Sequence, residues 1–150
     1  MAEFSHVDED GKLKMVDVSP KKPQQRRARA SGRIVVGTEV AGMIRDNRMK
    51  KGDVLTTARI AGIQAAKRTS ELIPLCHPLP VDWIDVNAEL GEDDVVITAE
   101  ALFTGKTGVE MEALTAVSVA LLTVYDMCKA VKKDMVITDI HLVAKEKTDV

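Results

Sequence analysis

The chain has 150 residues and a net formal charge of -2, and 45% of its residues are hydrophobic but only 3% are aromatic. This length favours one domain with an aliphatic core, and the small net charge gives little support for a nucleic-acid partner. The chain has two cysteines and no apolar N-terminal run, and no segment approaches a membrane span. We therefore expect a cytoplasmic protein with reduced thiols and no membrane partner.

Polar and charged residues dominate the N-terminal segment ahead of the first apolar run. Residues 1–14 lack hydrophobic periodicity and are predicted to form a flexible tail, so that residues 15–150 make up a single domain. Five basic residues fall within residues 21–29, beside Pro20 and Pro23. This run is either a solvated basic arm or an arm that reaches a polyanionic ligand.

The first predicted elements are a short strand and two helices. Residues 32–36 read as an apolar strand, and Thr38 is placed to cap a helix that runs to Asn47. Gly52 interrupts the pattern, and Asp53 can cap a second helix that continues to Leu72. Small residues recur at helical spacing in this second helix, which would let it lie close to a neighbour.

The second half predicts a hairpin, a long helix and a last strand. Residues 81–90 and 95–103 alternate between apolar and polar side chains around a turn at 91–94. Thr107 and Glu110 have the spacing of a capping box for a helix that runs to Lys132, and residues 135–144 form the final strand. The order predicts an α+β, ferredoxin-like (split βαβ) antiparallel sheet with helices packed on one face.

A histidine between two prolines follows the second helix. Pro74 disfavours helix at Ile73, and Pro78 fixes a backbone angle just after His77, so His77 is expected on a stiff loop. Histidine is the side chain whose charge changes most readily near neutral pH, which suits a reactive site. The alternative is an ordinary histidine satisfied in a turn.

Two further segments carry polar groups on a helix. The glycines of residues 105–108 flank a helix start that could receive an anion or could simply be capped; Glu100 stands where a P-loop needs glycine. Asp126 and Lys129 share a helix face, either as a weak surface ion pair or as a proton-transferring pair. Cys76, His77 and Cys128 lack the spacing of a zinc site, so no metal site is predicted.

Six segments, in this order, closely resemble the MoaC family. They are MVDVS at 15–19, KGDV at 51–54, ARIAGIQAAKR at 58–68, IPLCHP at 73–78, GKTGVEME at 105–112 and YDMCKA at 125–130. The resemblance extends over residues 15–145. The family usually reads Thr-x-Arg-x-Ala near its N-terminus; here Gln24 replaces the threonine, while Arg26 and Ala28 match.

The resemblance implies an enzyme of molybdenum cofactor biosynthesis, a phosphorus-oxygen lyase. Its substrate would be (8S)-3',8-cyclo-7,8-dihydroguanosine 5'-triphosphate, which it would convert to cyclic pyranopterin monophosphate and diphosphate. The catalytic residues implied are Asp126, Lys129 and Lys51. The substrate-binding residues implied are Leu75, Cys76, His77, Met111, Glu112, Arg26 and Lys67.

The resemblance also implies a homohexamer, arranged as a trimer of dimers, with sites at a dimer interface. No resident cofactor is expected, although Mg²⁺ could accompany the substrate phosphates. The competing interpretation is a non-catalytic nucleotide- or pterin-binding module on a ferredoxin-like scaffold. An RNA-binding sheet is a third, for which the strands offer only Trp83 and Phe103 as aromatics.

Overall fold

A computed structural model describes residues 4–150 and has one four-stranded antiparallel sheet. Its strand order is β2-β3-β1-β4, which confirms the predicted ferredoxin-like arrangement. The elements in chain order are β1 (Gln24–Val35), α1 (Thr38–Arg45), α2 (Val54–Ala66), α3 (Thr69–Leu72), β2 (Trp83–Leu90), β3 (Asp94–Gly105), α4 (Glu110–Cys128) and β4 (Val136–Asp149).

The core lies between the inner face of the sheet and the helices α2 and α4. Alternate residues of β3 are buried as predicted, from Val95 to Phe103, and β1 contributes Ala28, Ala30 and Ile34. Small residues allow close packing here. A Cβ atom on Gly62 of α2 would lie 2.9 Å from the carbonyl oxygen of Ala116 in α4. The small aliphatic side chains thus allow close packing between the helices and between the helices and the sheet.

β1 begins eight residues earlier than predicted, and this changes the interpretation of the basic run. Neither arm interpretation holds for the second half of the run, because residues 24–29 belong to a central strand. Arg27 and Arg29 lie on the outer face and both pair with Glu100 of β3, while Arg26 points inward and is 7% exposed. Alternating arginines and alanines fit a strand that has one solvated face.

Helix boundaries differ from the predictions where backbone geometry decides them. Asp53 caps α2 as predicted, since its carboxylate accepts a hydrogen bond from the Thr56 amide at 3.1 Å. The α2 pattern is broken after Ala66, however, and the short α3 follows. In α1 the N-cap is Gly37, with φ of 87°, rather than Thr38, and the helix ends at Arg45 rather than Asn47.

The predicted capping box of α4 is also wrong. The N-cap is Val109, without a side-chain hydrogen bond, and the helix ends at Cys128 rather than Lys132. Thr107 Oγ1 and Glu110 Oε2 are buried and have no hydrogen-bond partner within residues 4–150. The T-x-x-E spacing therefore forms no reciprocal cap at this helix start.

α4 is long and apolar enough to cross a membrane by length and composition alone, contrary to the sequence-based expectation. Its buried residues, among them Val117, Leu121, Val124 and Cys128, pack against the sheet and α2. The apolar character of α4 is thus explained by its position in the protein core.

Residues 4–14 of the predicted tail form a small hairpin, while residues 1–3 lie outside the described part of the chain. Val7 and Leu13 pair as an antiparallel bridge, and the Asp8 carboxylate accepts hydrogen bonds from the amides of Asp10 and Lys12. The division into a tail and one domain from residue 15 remains a prediction.

Candidate active site

A cavity of about 330 Å³ opens at the N-terminal end of α4. Six of the seven predicted substrate-binding residues line it. They come from three separate parts of the chain: Arg26 from β1, then Leu75, Cys76 and His77 from the proline loop, and Met111 and Glu112 from α4. The fold therefore brings together most of the residues that the sequence motifs single out.

The proline loop is stiff for the reason predicted. Ile73 ends α3 in an extended conformation, with φ of -113° and ψ of 110°, as a residue before proline should. His77 is held from outside the loop as well, because its Nε2 donates a hydrogen bond to the carbonyl of Val16 at 2.7 Å. The imidazole is thus fixed between the loop and the segment that precedes β1.

Unpartnered polar groups mark one side of the cavity. Arg26 reaches the Lys106 carbonyl only through Nη2 at 3.5 Å, and its buried Nε has no partner within residues 4–150. Thr107 and Glu110 also line the cavity, and they hold the two buried oxygens left without partners. Because leaving buried polar groups unpaired is unfavourable, this set is suited to a polar ligand.

Several residues that line the cavity are not assigned to it by the sequence, among them Glu110, predicted as part of a helix cap, and Lys145, predicted to lie beyond the last strand. β4 extends to Asp149, so Lys145 reaches the cavity and pairs with Glu110 at 3.1 Å. Residues 145–149 are charged or polar without an apolar alternation, so local periodicity does not indicate this extension.

Glu112 is the most deeply buried carboxyl group of the cavity, with 3% of the residue exposed. Burial raises the pKa of Glu112 to about 7, and the nearby charge of Glu110 adds to the effect. Near neutral pH a substantial fraction of Glu112 therefore carries a proton. A protonated carboxyl group can donate a hydrogen bond as well as accept one.

Replacement of Glu112 by glutamine is expected to stabilise the fold above pH 7. Because the folded pKa lies above the ordinary value of 4.5, the native state binds more protons than the unfolded state between these pH values, and wild-type stability falls as pH rises through that window. Glu112→Gln removes this loss, which amounts to roughly 3 kcal/mol. Urea unfolding at pH 4 and pH 8 measures it: the two proteins should match at pH 4 and diverge at pH 8, and equal stability at both would contradict the assignment.

The two cysteines are poor nucleophiles. Burial raises the pKa of Cys76, with further contributions from Glu112 and Glu110, and burial raises the pKa of Cys128 to about 11. Both thiols therefore stay protonated near neutral pH. Across residues 4–150 no group of three histidine, cysteine or acidic side chains is arranged to hold a metal ion.

The predicted catalytic residues form a second cluster at the opposite end of α4. Asp126 accepts a hydrogen bond from Lys51 at 3.0 Å and pairs with Lys129 at 3.1 Å. The hydrogen bonds from Lys51 and then Lys129 lower the pKa of Asp126, so it is a carboxylate at neutral pH. More than half of the Asp126 side chain is exposed, so within one chain this cluster lies on the surface.

The cavity and the lysine–aspartate cluster are far apart in a single chain. Glu112 and Asp126 are separated by roughly 21 Å along α4, at about 1.5 Å per helical residue. Lys67, at the end of α2, is exposed and does not line the cavity. Since proton transfer requires groups within hydrogen-bond reach, the two groups of residues cannot act on one reacting centre from the same chain.

The motif residues of the cavity and the lysine–aspartate cluster all lie within a match to one protein family. Residues 15–148 match the model of the MoaC family. The chain is 53% identical over 143 residues to a cyclic pyranopterin monophosphate synthase of Peptoclostridium acidaminophilum, covering 95% of this chain and 91% of that protein. It is 57% identical over 142 residues to the protein of the same name from Streptomyces griseus subsp. griseus, covering 95% of this chain and 80% of the other.

A longer relative shows the same similarity over part of its length. The molybdenum cofactor biosynthesis bifunctional protein of Chlorobaculum tepidum is 56% identical over 140 residues, and the match covers 93% of this chain but 45% of that protein. The likeness to this relative therefore concerns only the portion that it shares with the present chain.

Proposed function

Because this chain belongs to the MoaC family, we infer that it is a cyclic pyranopterin monophosphate synthase, a lyase of molybdenum cofactor biosynthesis. Its substrate is the cyclised dihydroguanosine triphosphate, and its products are cyclic pyranopterin monophosphate and diphosphate. The structural observation that carries the proposal is the Lys51–Asp126–Lys129 cluster, together with a cavity lined by the motif residues.

The cavity is suited to binding and orienting the substrate. Arg26 offers an unpartnered Nε, and the start of α4 adds free amide groups that favour an anion. His77 is oriented by Val16, and Glu112 offers a carboxyl group that exchanges its proton near neutral pH. We assign Arg26 to the substrate phosphates, joined by Lys67 of a second chain, because Lys67 does not line the cavity of its own chain.

The lysine–aspartate cluster is suited to proton transfer. The Asp126 carboxylate lies within hydrogen-bond reach of two ammonium groups, so it fixes where both point. Its lowered pKa makes it a weak base in the free protein, and it acts best by holding Lys51 and Lys129 as proton donors and acceptors. No resident cofactor is required by this scheme, and any Mg²⁺ enters with the substrate phosphates.

Two chains are needed to complete one site in this proposal. The separation of the clusters along α4 supports a site that joins the cavity of one chain with the lysine–aspartate cluster of another. A homohexamer built as a trimer of dimers, acting in the cytoplasm, fits this requirement. Partner chains would also cover the exposed Asp126 and strengthen its electrostatic interactions by excluding water.

The alternative functions are disfavoured by specific residues. A nucleotide- or pterin-binding module needs cations, but it has no need for a carboxylate held between two lysines. An RNA-binding sheet needs exposed aromatic side chains on one face. Phe103 is buried in the core, which leaves only Trp83 exposed on the strands.

The proposal is tested by product formation. Purified protein incubated with the cyclised triphosphate should release diphosphate and form a pterin product, whereas uncyclised GTP should yield neither. Binding of the cyclised triphosphate without turnover would indicate a binding module instead.

A further inference from the structure

The N-terminal hairpin adds a second histidine to the cavity. His6 and the neighbouring Ser5 line it, opposite residues of the proline loop and α4. The hairpin that carries His6 is ordered by hydrogen bonds, including Lys14 N–H to the His6 carbonyl at 2.9 Å and Asp8 N–H to the Lys12 carbonyl at 2.9 Å. It precedes residues 15–148, which match the family model.

The rings of His6 and His77 are each oriented by a backbone carbonyl of residues 14–16. His6 Nδ1 faces the Lys14 carbonyl at 3.2 Å, and His77 Nε2 faces the Val16 carbonyl at 2.7 Å. A carbonyl oxygen only accepts hydrogen bonds, so each of these ring nitrogens carries a hydrogen. In His6 this leaves Nε2, which has no partner within residues 4–150, as the nitrogen that can meet a ligand.

The charges around His6 favour an anionic ligand. Lys21 and Arg26 contribute positive charge to the cavity wall, and the charge of Lys145 offsets that of Glu110. Glu110 is already paired with Lys145, and the buried Glu112 is partly protonated near neutral pH. With Nδ1 donating to the Lys14 carbonyl, an imidazolium at His6 can donate a second, charge-assisted hydrogen bond from Nε2 to a phosphate oxygen.

We infer that the hairpin, through Ser5 and His6, forms part of the wall of the substrate cavity and that His6 binds the phosphate end of the substrate through Nε2. The inference rests on the proposed function for the identity of the substrate. It makes the hairpin part of the binding site and gives it a role that the match to residues 15–148 does not include.

Two substitutions separate binding by His6 from its role in the hairpin. His6→Asn keeps a donor near the position of Nδ1, where it can satisfy Lys14, but offers nothing at Nε2. His6→Gln extends a donor toward the position of Nε2 instead. The matched control is Lys12→Ala, which removes a positive charge from the same hairpin without touching the cavity lining.

The probe is inorganic pyrophosphate, titrated calorimetrically into the full-length protein. His6→Asn should weaken its binding about tenfold, the scale of losing one hydrogen bond to a charged group, while His6→Gln retains more affinity and Lys12→Ala matches wild type. The KM for the cyclised triphosphate should rise in the same order, with a smaller effect on kcat.

The inference is overturned if His6→Asn binds pyrophosphate as well as His6→Gln or wild type does, since His6 would then only support the hairpin. Wild-type turnover tests the proposed function separately. If the wild-type protein released no diphosphate from the cyclised triphosphate, the proposed function would fail, and the pyrophosphate comparison would still decide whether His6 binds phosphate.

Discussion

Asp126→Asn is expected to reduce kcat by at least about a hundredfold, the usual scale for losing a group that positions proton transfer. The substitution preserves size but removes the charge that holds Lys51 and Lys129 3.0 and 3.1 Å from one carboxylate. Without that charge the two ammonium groups repel each other and no longer point at a common centre. Steady-state kinetics with the cyclised triphosphate measures the effect.

The control for Asp126 is a second exposed aspartate, Asp134, a few residues later in the chain. Asp134 pairs only loosely with Lys132, at 4.0 Å, and Asp134→Asn should leave turnover unchanged. Thermal unfolding should show both variants intact, because each side chain is largely exposed. A rise in KM alone for Asp126→Asn would assign the cluster to binding rather than to proton transfer.

Two inactive variants should restore activity when they share an oligomer. Arg26→Ala damages the cavity, and Asp126→Asn damages the cluster at the other end of α4. If each site joins the cavity of one chain to the cluster of another, a mixed interface contains one intact site. Random co-assembly in equal amounts should restore about a quarter of the sites across a two-fold interface. Co-expression with two affinity tags, followed by activity measurement, provides the test.

A matched pair of variants gives the negative control for this experiment. Arg26→Ala and His77→Ala both damage the cavity, so no arrangement of these two chains rebuilds a complete site. Recovery with Asp126→Asn but not with His77→Ala would establish that the clusters come from different chains. Absence of recovery in proven mixed oligomers, or a fully active monomer, would contradict a shared site.

The sequence predicted the parts of the fold that depend on local patterns. Alternation in residues 81–90 and 95–103 located β2 and β3, and Asp53 located the start of α2, because each signal lies within a few residues. The start of β1 was missed because its solvated face carries arginines, and their partner Glu100 lies some seventy positions later. Local composition cannot show that a basic run is paired across strands.

The family motifs name many of the residues of the candidate site, but not the backbone segments that complete it. Family motifs named Arg26, His77 and Glu112, and all three line one cavity. The same motifs name Asp126, and its place fourteen residues after Glu112 on one predicted helix already implies the separation of roughly 21 Å. The contributions of Lys145 and His6 were missed because each depends on a backbone segment, the end of β4 or the hairpin, that carries no apolar periodicity.

The position of β1 has a consequence for how the protein is made. This first strand lies in the middle of the sheet, and both of its neighbours come late in the chain: Gln24 pairs with Gly105 and with Asp149. During synthesis β1 therefore stays unpaired on both edges until β3 emerges from the ribosome, and on one edge until β4 follows. Such distant pairing slows folding and leaves open strand edges exposed to other nascent chains. A ribosome that stalls before β4 would consequently release a product prone to aggregation rather than a shortened, folded domain.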